Sequence, residues 1–238
     1  RGAVKCGGRA RGHCGARAPG SVGRGAGLGS GGGEGWFGGA GARDPLAPVV
    51  SSAAVQGREE RIARDTAQTH IVFGSETFPH RDSRRFALAI VTNAFGGGMS
   101  SRLFQRIREE LGLAYAIYAF QHLYQSAGVA GVYIGTQPAS ADAAVGAILE
   151  EFRKLAGAGL PAQELAEGKQ QLKGQVMLSL ESPLSRMNRL AGIVLNRDRY
   201  RPLDELLADI DAVTQDEVAA LTAEYFAPER QTIIRLGP

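Results

Sequence analysis

The chain has 238 residues, of which 44% are hydrophobic and 21% charged, with a formal net charge of +3. This length fits one domain with an appendage, and no apolar run reaches the roughly 18 residues that a membrane-spanning helix needs, so we expect a soluble protein without a membrane partner. Residues 1–34 carry six basic residues and one acidic residue, so the 21 basic and 23 acidic residues that follow lack the excess positive charge of a nucleic-acid-binding surface.

Residues 1–43 contain 17 of the 33 glycines, interspersed with arginine and alanine. Such a segment buries too little apolar surface to offset the entropy of ordering, so it is predicted to be disordered. It is either an RNA-binding arm or an artefact of GC-rich DNA read out of frame; regular Arg-Gly-Gly repeats, typical of such arms, are absent. Because the sequence begins with Arg1 rather than Met, we expect a fragment.

Residues 44–59, with Pro45 and Pro48, are predicted to be a linker, and residues 60–238 the folded domain. Both cysteines, Cys6 and Cys14, precede this domain. A disulfide framework is therefore excluded for it, which is compatible with a reducing compartment and favours the cytoplasm, although the sequence does not identify the compartment.

The folded part opens with a β-prone run at residues 69–74 and an apolar-periodic helix at 81–95. A helix-stopping glycine run follows, made of Gly96, Gly97 and Gly98. A second helix is predicted to continue to about Leu111, where Gly112 ends it.

Residues 115–124 and 128–136 are rich in aromatic and β-branched residues and predict a β-hairpin. Five helices and a closing strand at 231–236 follow, the last helix beginning at a capping box formed by Thr214 and Glu217. The order β-α-α-β-β-α-α-α-α-α-β predicts an α+β two-layer sandwich, with an antiparallel or mixed sheet covered by helices on one face.

Metal-binding patterns are absent from the sequence. The four histidines neither begin nor end an H-x-x-E-H or H-E-x-x-H motif, so we predict no metal ligand and no cofactor in this chain. The glycine-rich match at residues 27–32 has no strand before it and no helix after it, which argues against a dinucleotide site.

Residues 95–120, FGGGMSSRLFQRIREELGLAYAIYAF, hold the candidate site. Arg108 lies in the last turn of the second predicted helix, and Tyr115 follows just past the corner into the strand. This geometry can bring a guanidinium and a phenol together to hold a peptide carbonyl or an oxyanion. Alternatively, Arg108 pairs with neighbouring carboxylates and Tyr115 is ordinary strand packing.

This stretch resembles the C-terminal half-domain of the insulinase/pitrilysin-type zinc metallopeptidases, particularly the bacterial processing-peptidase-like members. The resemblance covers residues 60–238 and depends on the G-G-G-M-S-S-R-L-F turn and the R-E-x-x-G-L-A-Y segment that ends at Tyr115. It implies two similar half-domains that close on a peptide, the first with an inverted zinc motif and the second with an Arg/Tyr pair that binds substrate. By position that pair is Arg108 and Tyr115.

The resemblance therefore implies a substrate-binding half of a metalloendopeptidase that is incomplete and inactive alone. Its partners would be a peptide substrate and a zinc-bearing N-terminal half-domain, missing from this chain or present as a separate subunit; residues 1–34 do not resemble such a half. One alternative is a non-catalytic structural or interaction subunit of the same fold, and a second is RNA binding through the basic tail.

Overall fold

The computed structural model describes residues 57–238, so the predictions for residues 1–43 and for most of the linker lie outside the described part. Its five-stranded sheet has the order β1-β5-β2-β4-β3. The strands are β1 (Glu59–Ala63), β2 (Thr69–Thr77), β3 (Ala116–Leu123), β4 (Gly128–Thr136) and β5 (Thr232–Gly237). β1 runs parallel to β5 and the other neighbours are antiparallel, which makes the sheet mixed.

The helices are α1 (Arg85–Gly96), a π-helix (Phe104–Glu110), α2 (Ala141–Ala158), α3 (Ala162–Ser179), α4 (Pro183–Leu195), α5 (Leu203–Asp211) and α6 (Gln215–Tyr225). Two short 3₁₀ turns lie at Pro138–Ser140 and Pro228–Arg230. Within residues 57–238, no helix is long and apolar enough to cross a bilayer.

The hydrophobic core lies between one face of the sheet and the helices. Ile71 and Phe73 of β2 are fully buried there, and Phe152 of α2 packs against Phe73 with ring centroids 5.9 Å apart and against Phe95 of α1 at 5.0 Å. Burying a side chain of this size contributes about 1.5–3 kcal/mol. The predicted α+β two-layer architecture is confirmed.

The opposite face of the sheet, which we call the open face, carries the alternate residues of each strand. Tyr118 and Ile234 are exposed, while Val72, Phe120 and Tyr133 are half-buried. Strand pairing places Tyr118 beside Tyr133 and Val72 beside Ile234, so these side chains form one continuous apolar and aromatic surface.

Three local predictions differ from the structure. The segment 104–110 was expected to be an α-helix but is a π-helix, in which Leu111 N–H donates to the Arg106 carbonyl five residues back at 3.2 Å. The first helix begins at Arg85 rather than residue 81. β1 was not predicted, because all five of its residues are exposed at the sheet edge and show no alternation of apolar side chains.

Candidate functional site

The glycine run brings α1 against β3. A side chain at Gly96 would place its Cβ 2.4 Å from the backbone nitrogen of Ala119, so only glycine allows this approach. The turn that follows is held by Ser101, whose hydroxyl donates to the Gly98 carbonyl at 2.5 Å. The π-helix therefore starts from a fixed position beside β3.

The π-helix is anchored to the body on its inner side. Leu103, which precedes it, and Ile107 are fully buried. The guanidinium of Arg102 donates from Nε to Glu164 of α3 at 2.8 Å and from Nη2 to the Gly159 carbonyl at 3.4 Å. These contacts fix the backbone on which Arg108 is carried.

Arg108 lies in the last turn of the π-helix with its side chain 45% exposed. Its guanidinium carbon lies 4.8 Å from the centre of the Phe104 ring, a cation–π contact that restrains the side chain. Its ion pair with Glu109 spans 4.0 Å between two exposed groups, an arrangement that contributes about 0–1 kcal/mol. The forked donors of Arg108 thus remain accessible to a ligand.

Tyr115 is placed by the end of β4. Its backbone N–H donates to the Gly135 carbonyl at 2.9 Å, and its side chain is half exposed. The Tyr115 hydroxyl accepts a hydrogen bond of 2.6 Å from Nε2 of Gln137. Because this bond uses the oxygen as an acceptor, the phenolic proton is left to donate elsewhere.

The corner between the two residues is itself fixed. Gly112 adopts φ 61°, and the Leu113 carbonyl accepts a hydrogen bond of 2.6 Å from the Thr136 hydroxyl. No hydrogen bond or ring contact joins Arg108 to Tyr115 within the described residues. Arg108 and Tyr115 therefore lie at the two ends of one short corner, residues 109–114, and do not contact each other. We call this segment the braced corner.

β3 shows the expected alternation, with Ile117 buried in the core and Tyr118 exposed on the open face. Tyr115 itself precedes the first residue of this strand. If the residue alternation of β3 continues back to Tyr115, we expect its side chain on the same face as Ile117 and Ala119.

An aromatic row crosses the open face from the strand that follows Tyr115. The Tyr118 and Tyr133 rings lie 5.0 Å apart, and the Tyr133 hydroxyl forms a hydrogen bond of 2.8 Å with Nδ1 of His70. Phe120 lies over Gly131, where a Cβ would come within 2.8 Å of its ring. Such a surface can bind a peptide by stacking and apolar contact.

A second polar cluster lies between α1 and the segment before α5. The Asp198 carboxylate accepts hydrogen bonds from Arg85 at 2.7 Å and Arg201 at 2.9 Å, with Nε2 of His80 3.7 Å away. Burial alone would raise the pKa of Asp198, but the hydrogen bonds from the two arginines hold it well below its usual range. Because the Asp198 carboxylate is already bound by two arginines, this cluster is typical of ion pairs that hold two parts of a fold together.

A cavity of about 320 Å³ lies beside this cluster and is lined mainly by apolar side chains, among them Phe86, Leu123, Leu172 and Leu206. Burial and the Arg85 charge outweigh the attraction of Asp198 and lower the pKa of His80, which lines the same cavity. A neutral His80 at physiological pH fits this apolar lining.

Residues 57–238 do not fit a zinc site. No group of three or more His, Cys, Asp or Glu side chains in that range could hold a metal ion. His70 uses Nδ1 for Tyr133, and the carboxylate nearest to His80 is taken by two arginines. Protein zinc sites need at least three such ligands.

The sequence predicted Arg108 and Tyr115 as site residues but missed Gln137 and Thr136. Gln137 comes directly after a β-rich run, which is a weak signal for a loop residue. Its partnership with Tyr115 depends on the pairing of β3 with β4, which brings together two residues 22 positions apart.

The family described as "Peptidase M16 inactive domain" matches residues 30–172. An uncharacterized zinc protease of Streptomyces coelicolor is 35% identical over 199 residues, covering 83% of this chain and 43% of the relative. The uncharacterized zinc protease YmxG of Bacillus subtilis is 34% identical over 166 residues, covering 70% of this chain and 41% of the relative. The chain thus spans less than half the length of these curated relatives.

Among solved structures, the fold is similar to the crystal structure of the peptidase M16 inactive domain from Pseudomonas fluorescens, with a TM-score of 0.73 and 20% identity. The match covers 81% of this chain and 46% of that one. At this identity the likeness concerns the fold alone, and it agrees with the two-layer arrangement described above.

Proposed function

This chain belongs to the family of M16 peptidase inactive domains, and we propose that it is the substrate-binding half of a zinc-dependent metalloendopeptidase. In this proposal a zinc-bearing half, supplied by a longer form of the chain or by a separate subunit, completes the enzyme. The relatives that support it are named zinc proteases and are more than twice as long as the matched region.

The observation that carries the proposal is the braced corner between Arg108 and Tyr115. Tyr115 accepts a hydrogen bond from Gln137 and so has its proton available, and Arg108 keeps its forked donors at the surface. Donors held in advance by a rigid frame stabilise charge that develops on a carbonyl oxygen without reorganising during the reaction. In sequence, Tyr115 lies three residues before Tyr118, whose exposed ring belongs to the aromatic open face.

The division of labour follows from the chemistry of the side chains. Peptide hydrolysis by a zinc enzyme needs a metal-activated water, and the ligands for that metal would come from the other half. This chain would orient the peptide and contact the carbonyl oxygen of the scissile bond. Neither half is expected to turn over substrate alone.

The test is peptide hydrolysis by this chain co-expressed with the part of the Streptomyces coelicolor relative that it does not cover. Tyr115→Phe removes only the hydroxyl, and loss of one such donor lowers kcat by about 10²–10³. Arg108→Lys keeps the charge but loses the fork, and we expect it to impair turnover as well.

Arg106→Lys is the matched control, because Arg106 lies on the same helix and pairs with Glu110 at 2.6 Å at the exposed surface. It should leave turnover unchanged. If both site variants melt at the parent temperature and keep full activity, Arg108 and Tyr115 are structural and this part of the proposal is wrong.

A non-catalytic interaction subunit of the same fold is the second candidate. It is favoured by the exposed apolar side chains of α4. A complex whose peptidase activity is unchanged by Tyr115→Phe and by Arg108→Lys would support this second candidate. The third possibility raised by the sequence, RNA binding through the basic tail, concerns residues outside the described part.

A further inference from the structure

α4 presents an apolar stripe to solvent. Its members, which we call the α4 stripe, are each more than half exposed: Leu184, Met187, Leu190, Val194 and Leu195. Their spacing places them on one side of the helix. No residue of α4 is buried.

An ordinary amphipathic surface helix buries its apolar side, whereas α4 exposes its apolar side to solvent. The partly buried side holds mainly small or polar residues, namely Ser185, Arg189, Gly192 and Asn196, although Ile193 also lies there. The start of the helix is nevertheless well formed, with Pro183 in its first turn and the Ser182 hydroxyl accepting from the Ser185 backbone N–H. Contiguous apolar exposure of this kind marks an interaction surface.

The edge of the stripe is positively charged. Arg186 and Arg197 are exposed, and in the part of the chain that the structure describes neither forms an ion pair. The complementary partner is an apolar patch bordered by carboxylates.

We propose that the α4 stripe docks the zinc-bearing half of the enzyme, an inference that rests on the function proposed above. The match covers only 43% of the Streptomyces coelicolor relative. The rest of that relative is large enough to form a second half that packs against the half matched here. Interfaces between domains of one protein bury apolar patches with polar borders, which is the chemistry that α4 offers.

Two other occupants fit less well. A second copy of this chain, related by a two-fold axis, would set α4 against α4, and α4 carries no carboxylate to pair with the arginines at the edge of the stripe. A membrane surface attracts amphipathic helices whose polar side is rich in Lys and Arg, whereas α4 has two arginines, Arg186 and Arg189, and no Lys.

The experiment measures binding of the full chain to the part of the Streptomyces coelicolor relative that it does not cover, by sedimentation velocity. Leu184→Glu and Val194→Glu each place a charge in the α4 stripe and should weaken Kd about tenfold or more. Because both side chains are exposed, the thermal melts should match the parent. Tyr124→Glu, at an exposed aromatic residue of the β3–β4 turn, is the matched control and should bind like the parent.

Parent-like binding by both stripe variants would overturn the inference and leave the proposed function standing. No binding by the parent chain would contradict both. A parent dimer that Val194→Glu dissociates would assign the stripe to a second copy instead. Parent binding to vesicles of anionic phospholipid, lost in both stripe variants, would assign it to a membrane surface, and either result would overturn the inference.

Discussion

Asp198 links separate parts of the fold through one carboxylate. It accepts hydrogen bonds from Arg85 at the start of α1 and from Arg201 just before α5, and its own side chain is 8% exposed. The cost of burying the three charges is offset only while all of them are present. The loop between α4 and α5 therefore depends on this residue for its position.

Asp198→Asn keeps the size of the side chain and removes the charge. Arg85, whose side chain is 11% exposed, then lacks a counter-charge, while Arg201 keeps only the Asp209 carboxylate at 3.3 Å, and the free energy of unfolding should fall by about 3 kcal/mol. Urea unfolding followed by circular dichroism measures this. Asp65→Asn, at an exposed loop position, should leave the midpoint within the error, and an equal effect of both changes would show that the Asp198 ion pairs add nothing specific.

The same cluster makes stability depend on pH in two steps. Folding lowers the pKa of His80 below its ordinary value of 6.5. As pH drops below about 6.5, the unfolded chain therefore takes up a proton before the folded chain does, and the free energy of unfolding falls. Folding also lowers the pKa of Asp198 below its ordinary value of 3.8, so its contribution is present above about pH 4 and is lost as pH falls further.

Urea midpoints measured between about pH 7.5 and pH 3 should show both steps. His80→Gln should flatten the step near pH 6.5, and Asp198→Asn should flatten the acid step. The charged groups that face His80 are Arg85, Arg201 and Asp198. An unchanged upper step in His80→Gln would mean that another histidine causes it.

At the scale of elements, the contact of α1 with β3 depends on one glycine of the run. A Cβ at Gly96 would meet the backbone nitrogen of Ala119 at 2.4 Å, which no side-chain rotation relieves. A Cβ at Gly98 would meet nothing within 4 Å. Gly96 and Gly98, two positions apart in the run, therefore have different structural reasons to be glycine.

Gly96→Ala should lower the free energy of unfolding by about 1–3 kcal/mol, because α1 must move away from the sheet. Gly98→Ala should be neutral or stabilise by up to about 1 kcal/mol through the unfolded chain. Thermal and urea unfolding of the two single variants measure the difference. Equal effects would contradict the close approach of α1 to β3.

Sequence patterns predicted the helices and strands that bury one face in the core and expose the other. The β3–β4 hairpin is confirmed by its antiparallel register, and the cap at Thr214 is confirmed by its hydrogen bond to the Glu217 backbone N–H at 3.2 Å. The π-helix was misread because its apolar spacing over one or two turns does not differ from that of an α-helix. β1 has no such pattern at all, since its stability comes from pairing with β5.

The candidate site was predictable only in part. Arg108 and Tyr115 stood out through a sequence resemblance, whereas Gln137, Thr136 and the aromatic partners of Tyr118 come from other segments. Their proximity is a property of strand register, which a single sequence specifies only through long-range pairing.

For the whole molecule, metal content tests the proposal that this chain is one half of a zinc enzyme. The described residues lack a cluster that could hold zinc, so we expect this chain, purified alone, to hold no stoichiometric zinc and to leave peptides uncut. Elemental analysis after dialysis and a peptide cleavage assay measure both. One tightly bound zinc per chain would overturn the assignment of the metal to another half.

The parallel pairing of β1 with β5 also decides how the domain responds to a pulling force. Glu59 pairs with Ile233 and Ala63 with Gly237, so tension applied between Glu59 and Gly237 slides the two strands lengthwise past each other. The hydrogen bonds between them are then loaded together instead of one after another. An unfolding motor that grips the chain on either side of this domain meets its greatest mechanical resistance at once, before any helix has come loose.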